Sequence, residues 1–264
     1  MLDWAAAEGW NPGHNDAETF HAADNEGYLV GLVGGEPVAC ISVVTYGANF
    51  SFLGFFICRP DFRGRGHGMA IWNAGIARLG SRTIGLDGVV EQQENYIKSG
   101  FKFAHRNIRY AGAASRRSTI EPHLVGVDNA GIVDATVDYD RHFFPSDRER
   151  FLRGWIASPH RTLTFVDLGA VRGYGTIRAC REGHKIGPLF ADSAPIADAL
   201  LCGLTAPWPG EKIFLDVPEP NAAAISLAEG RGMRPMFETA RMYRGSAPAL
   251  PLERIFGITT FELG

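Results

Sequence analysis

The chain has 264 residues, a formal net charge of -3 and a pI of about 6.2, which leaves no basic footprint for nucleic acid. No apolar run approaches the ~20 residues of a membrane span, and no charged start with an apolar region behind it suggests export, so the expected setting is cytoplasmic. Cys40, Cys58, Cys180 and Cys202 are scattered and the eight His dispersed, which fits reduced core thiols and no metal site or disulfide framework.

Residues 4–10, WAAAEGW, read as a helix ended by Asn11-Pro12-Gly13. Gly27 to Val33 and Glu36 to Val44 read as strands joined by Gly34-Gly35, a hairpin signal. Ser51 to Ile57 is the next strand, and it enters FFICRPDFRGRGHGMA at 55–70. There Arg63-x-x-Gly66-x-Gly68 lies where a strand hands over to a helix, so unpaired backbone N–H groups converge at a positive helix end and cradle an anion. Gly64, Gly66 and Gly68 let that backbone come close to a phosphate. A Walker loop would need Lys and then Ser or Thr where His67, Gly68 and Met69 stand. The Rossmann spacing is absent too, although Asp87 lies at a suitable distance. Met69, Trp72, Ile76 and Leu79 recur at helical spacing as the core face of the loop helix. Residues 83–90 read as a strand, 91–101 as a helix ending at Gly100, and 102–110 as a strand.

Residues 111–119 lack apolar periodicity and suit a linker. A helix running to Trp155 is expected to be capped by Ser146, with Glu149 as its capping-box partner. Residues 161–166 and 171–178 form a hairpin pair, Leu189 and Phe190 end a strand, 196–204 is a helix and 255–263 a closing strand. The chain also repeats itself at an offset near 130 residues: Ile84-Gly-Leu-Asp87 is echoed by Ile213-Phe-Leu-Asp216, Gly100-Phe101 by Gly232-Met233, and Tyr110 by Tyr243. Two tandem domains follow, placed at 1–113 and 122–264 with a linker at 114–121, rather than a solenoid of short period.

The loop signature, the following strand and helix, and Tyr96-x-x-x-Gly100-Phe101 resemble the GNAT superfamily of acyl-CoA-dependent N-acyltransferases. The resemblance implies an α+β fold in two tandem GNAT-like domains, each a mostly antiparallel mixed sheet flanked by helices. It implies acetyl-CoA as donor and CoA as product, with no metal, bound by Phe55, Phe56, Ile57, Arg63, Gly64, Arg65, Gly66, His67 and Gly68. Tyr96 would be the general acid for the departing thiolate. A GNAT domain begins with a strand that the residues before Trp4 cannot supply, so either the start is truncated or a strand comes from elsewhere.

The strand before the loop carries no Glu, so the family's usual base is missing; Asp87 and Glu91 are the nearest substitutes, with helix-entry carboxylates or a base reached through water as the alternatives. In the second copy, Lys185-Ile-Gly187-Pro188 to Asp192-Ser193 lacks the Arg and the Gly-x-Gly, Asp192 is expected to cap the next helix where pyrophosphate would bind, and Ala228 stands in the place of the tyrosine. Coenzyme chemistry is therefore expected in the first domain and a covering role in the second. Asp140, His142, Phe143, Asp216 and Glu219 are the candidate pocket for a small-molecule amine, interface packing being the alternative. A CoA-binding regulator without turnover, a protein or peptide amine as acceptor, and a homodimer stay open.

Overall fold

The computed structural model describes residues 1–115, 121–157 and 159–264; the core of the expected linker, 116–120, lies outside the described residues. In chain order the first half carries α1 (Leu2–Ala7), α2 (Asp16–Ala23), β1 (Tyr28–Val33), β2 (Glu36–Tyr46), β3 (Phe50–Cys58), α3 (His67–Leu79), β4 (Thr83–Val89), α4 (Gln93–Lys98) and β5 (Lys102–Ala113). The second half carries β6 (Leu124–Gly126), α5 (Ala130–Asp140), α6 (Glu149–Ala157), β7 (Arg161–Asp167), β8 (Ala170–Ala179), β9 (His184–Ala191), α7 (Ala194–Thr205), β10 (Lys212–Pro218), α8 (Ala222–Gly230), β11 (Arg234–Arg244) and β12 (Ile255–Gly257). No helix among the described residues is long and apolar enough to cross a membrane.

The strands form one mixed, mostly antiparallel sheet in the order β1-β2-β3-β4-β11-β5-β10-β9-β8-β7-β6, with β12 paired to β9 off that path. The two sequence repeats are thus not two sheets. Each gives a strand to the other: β11 lies between β4 and β5, and β5 lies between β10 and β11. Register across the exchange sets Asp87 opposite Arg241 and Asp216 opposite Arg109. Both pairs are buried and bidentate, Arg241 to Asp87 at 2.9 and 2.6 Å and Arg109 to Asp216 at 2.7 and 2.8 Å. The repeated Leu-Asp of the sequence is therefore a structural lock, because each repeat's aspartate is neutralised by an arginine carried on the other repeat's strand.

Local details depart from expectation in instructive ways. The buried face of α3 is Ile71, Trp72, Gly75 and Leu79, while Met69 is exposed. Gly75 permits this, since a Cβ there would stand 3.0 Å from Val43 and 3.2 Å from Ile41 of β2. Ser146 does not cap α6; its hydroxyl donates to the Tyr46 carbonyl, and Asp147 accepts from the Glu149 N–H at 2.8 Å. The closing strand is only β12, Ile255–Gly257, and residues 258–264 carry no strand. No strand covers the outer edge of β1, which pairs only with β2 among the described residues and exposes Val30 and Leu32.

Candidate active site

β3 and β4 run parallel and pair from Phe50↔Thr83 to Leu53↔Leu86, and then separate. On its other side β3 pairs with β2 in a register that slips between Cys40 and Ser42, so Phe55 and Phe56 bulge where the two strands part. Phe55 holds φ at +46°, a costly conformation for a non-glycine residue, and its carbonyl accepts from the Cys40 thiol. The bulge takes Phe55 and Phe56 out of register with β2, and both residues border the gap. That gap is a cavity of about 460 Å³, well within the size of small-ligand pockets.

Arg63, at the start of the glycine loop, borders this gap. Gly64 and Gly66 adopt φ of +74° and +86° and face open space, and Gly66 begins α3 with no side chain capping it. The first-turn N–H groups are left for an anion. A Cβ on Gly68 would stand 3.7 Å from the Phe56 ring. Arg63 points elsewhere: its Nε donates to the Cys58 carbonyl at 2.8 Å and its other nitrogen pairs with Glu8 at 2.5 Å. The glycine loop thus offers backbone to an anion, with Arg63 forming part of the cavity wall beside it, and Arg65 stands over the Phe62 ring, which His67 meets edge-on.

Tyr96 on α4 stacks on Trp72 at 5.7 Å, borders the cavity, and donates no hydrogen bond to a described residue. Gly88 makes room for it, since a Cβ there would come within 2.7 Å of its ring. Burial pushes the Tyr96 hydroxyl up to about 12, so it keeps its proton at neutral pH. Glu91 also borders the cavity. Asp87 borders it as well, yet its carboxylate is fully buried and accepts three hydrogen bonds, two from Arg241 and one from the Asn107 amide.

The expected acceptor residues are not brought together. Asp140 is buried and bound by Arg148 at 2.8 and 2.6 Å, Asp216 by Arg109, and Phe143 is buried in a stack with Phe190. His142 and Glu219 are exposed, and none of the five borders the cavity. Its wall away from the loop is instead Trp10, Phe237, Thr239, Phe261 and Glu262, four of them from the second half. Of these, Phe261 and Glu262 fall in the expected closing strand at 255–263, where nothing in the sequence set them apart from an ordinary strand.

The matching cleft of the second half is closed. β9 and β10 pair only from His184↔Ile213 to Ile186↔Leu215, and β12 enters the space beyond, pairing with β9 while the Ile258 N–H donates to the Asp216 carbonyl at 2.9 Å. Asp192 does not cap α7 but is held by the Tyr139 hydroxyl and Arg254, and Ser193 takes the cap position without a side-chain bond.

Comparison with known proteins agrees with this geometry. Residues 1–98 match the profile described as Acetyltransferase (GNAT) family, and residues 136–257 that of an Acetyltransferase (GNAT) domain. The chain is 32% identical to Holothin acyltransferase of Pseudoalteromonas sp. (strain SANK 73390) over 266 residues, 99% of this chain and 90% of the relative. A putative acetyltransferase from Pyrococcus horikoshii has the same fold at a TM-score of 0.81, with 23% identity over 94% of this chain and 84% of that one. A tandem GNAT protein from the clavulanic acid biosynthesis pathway, solved without AcCoA, aligns at a TM-score of 0.56 and 14% identity over 90% of this chain and 98% of that one. The chain belongs to the GNAT family, carries two of its domains in tandem, and is an acyltransferase.

Proposed function

We propose that the protein transfers an acetyl group from acetyl-CoA to the amine of a small molecule, by direct attack within one cleft of the first half. The observation that carries this reading is a single cavity that runs from Arg63, beside the glycine loop, past the bulge, to an aromatic wall. The N–H groups of residues 64–69 would hold the pyrophosphate, and the backbone N–H groups of the Phe55–Ile57 bulge would meet the thioester carbonyl as it gains negative charge. Tyr96 would give its proton to the leaving thiolate. Trp10, Phe237 and Phe261 favour an acceptor whose amine sits on a flat or apolar body. The likeness to Holothin acyltransferase over nearly the whole chain supports acyl transfer as the reaction class.

The division of labour follows: coenzyme in the first half, acceptor wall from the second. A panel of primary amines with acetyl-CoA, read by free thiol and by mass of the product, tests it. Thiol released in step with acylated amine is the expected result. Coenzyme binding without any acylated product would favour a regulator instead.

A further inference from the structure

The segment that closes the second cleft continues into the first. After Ile258 it crosses Gly187, where a Cβ would stand 3.2 Å from the Thr259 carbonyl carbon, and then Gly54, where one would stand 3.0 Å from the Glu262 Cα. Gly54 adjoins Phe55, so the glycine seats Glu262 directly beside the bulge. Glu262 is 4% exposed and borders the cavity. Its Oε2 is buried without a partner, and neither carboxylate oxygen accepts a hydrogen bond from a described residue.

An unpaired buried carboxylate is costly, and this fold shows how it treats such groups when their role is structural. Asp87, Asp140 and Asp216 are each bound bidentately by an arginine. Glu262 is not, although cations surround it. Lys185 on β9 donates to the Trp10 and Asn11 carbonyls, Arg109 on β5 is taken by Asp216, and Arg178 on β8 lies 3.0 Å from Asp16 of α2, although its guanidinium nitrogens make no hydrogen bond to a described residue. Tyr28 of β1 also faces it, with its hydroxyl donated to the Phe20 carbonyl. Burial pushes the Glu262 carboxyl above its ordinary value, Asp16 adds to that, and Lys185, Arg178 and Arg109 only partly oppose it. A carboxylate so placed is more basic than an exposed one.

We propose that Glu262 is the general base of the acyl transfer, receiving the proton of the acceptor nitrogen beside the Phe55 bulge. This rests on the acyl-transfer reading given above. As the C–N bond forms, the proton passes from nitrogen to the Glu262 carboxylate. The C–S bond then breaks with its electron pair leaving on sulfur, and the Tyr96 hydroxyl protonates the thiolate. Solvent returns the proton from Glu262 to Tyr96, which restores both groups. The strand before the loop needs no glutamate because the second half's tail delivers one.

The test compares wild type, Glu262→Gln and Glu262→Asp with acetyl-CoA and an amine substrate across pH. Glu262→Gln is expected to lower kcat by roughly 10²–10⁴ and to abolish the acid limb of kcat/KM while leaving acetyl-CoA affinity unchanged by calorimetry. Glu262→Asp, with the charge withdrawn by one methylene, should keep the acid limb at an intermediate kcat. Wild-type kcat and an unaltered acid limb in Glu262→Gln would overturn the assignment. If that variant does not fold, full kcat in Glu262→Asp overturns it, and a lowered kcat with intact coenzyme affinity supports it. Wild type inert toward every amine would defeat the functional reading itself, an outcome distinct from turnover that survives in Glu262→Gln.

Discussion

Arg241→Met tests the lock between the two repeats. It leaves Asp87, whose side chain has no exposure, with only the Asn107 amide as partner. Removing one member of a buried ion pair costs about 3–5 kcal/mol, because the other charge stays buried and uncompensated. Unfolding entropy of roughly 2.1 cal/mol/K per residue gives about 0.55 kcal/mol/K over the 264 residues, so Tm should fall by about 5–9 °C. Adding Asp87→Leu removes the orphan charge and should recover most of that loss, since apolar replacements of buried pairs are often nearly neutral. Calorimetric melts of the four proteins complete the double-mutant cycle. A single-variant loss under 1 kcal/mol, or a double variant as unstable as the sum of the singles, would refute the view that Asp87 is fixed by the opposite repeat.

Tyr96→Phe keeps the stack on Trp72 and removes the proton donor, so Tm and acetyl-CoA affinity should hold while kcat falls by roughly 10²–10⁴; stopped-flow or steady-state thiol release reads it. Gly54→Val inserts a side chain where the Glu262 backbone lies and should lower kcat more than coenzyme affinity, measured by kinetics beside calorimetry. Glu262→Gln should also raise Tm at neutral pH. The folded carboxyl is raised above its ordinary 4.5, so its stabilising contribution is present below 4.5 and lost as pH rises through the folded value; melts across pH should show the variant's advantage vanish in acid.

The glycine loop was legible because its geometry is local. Gly64, Gly66 and the start of α3 lie within a few residues, and the positive φ that glycine allows is what the loop requires. The strand exchange was not legible, since β5 and β11 meet across more than a hundred residues and nothing in either strand's pattern names its neighbour. That hidden pairing also misdirected the reading of Asp87 and Asp216, whose arginines sit far away in sequence. The Phe55 bulge left no trace because it replaces no residue type with a glycine. Glu262 escaped for a similar reason: only the fold carries a tail residue across Gly187 and Gly54 to the cavity.

The most direct check on a single working cleft is a calorimetric titration of acetyl-CoA into wild type, Gly66→Asp and Asp192→Ala. One coenzyme per chain is expected in wild type and in Asp192→Ala, because β12 fills the second cleft whatever stands at that helix start. Gly66→Asp, which sets a carboxylate and a Cβ into the cradle at φ +86°, should abolish binding without unfolding the chain. Two coenzymes per chain, or undiminished affinity in Gly66→Asp, would contradict the assignment of the site to residues 63–68 and of the second half to a covering role.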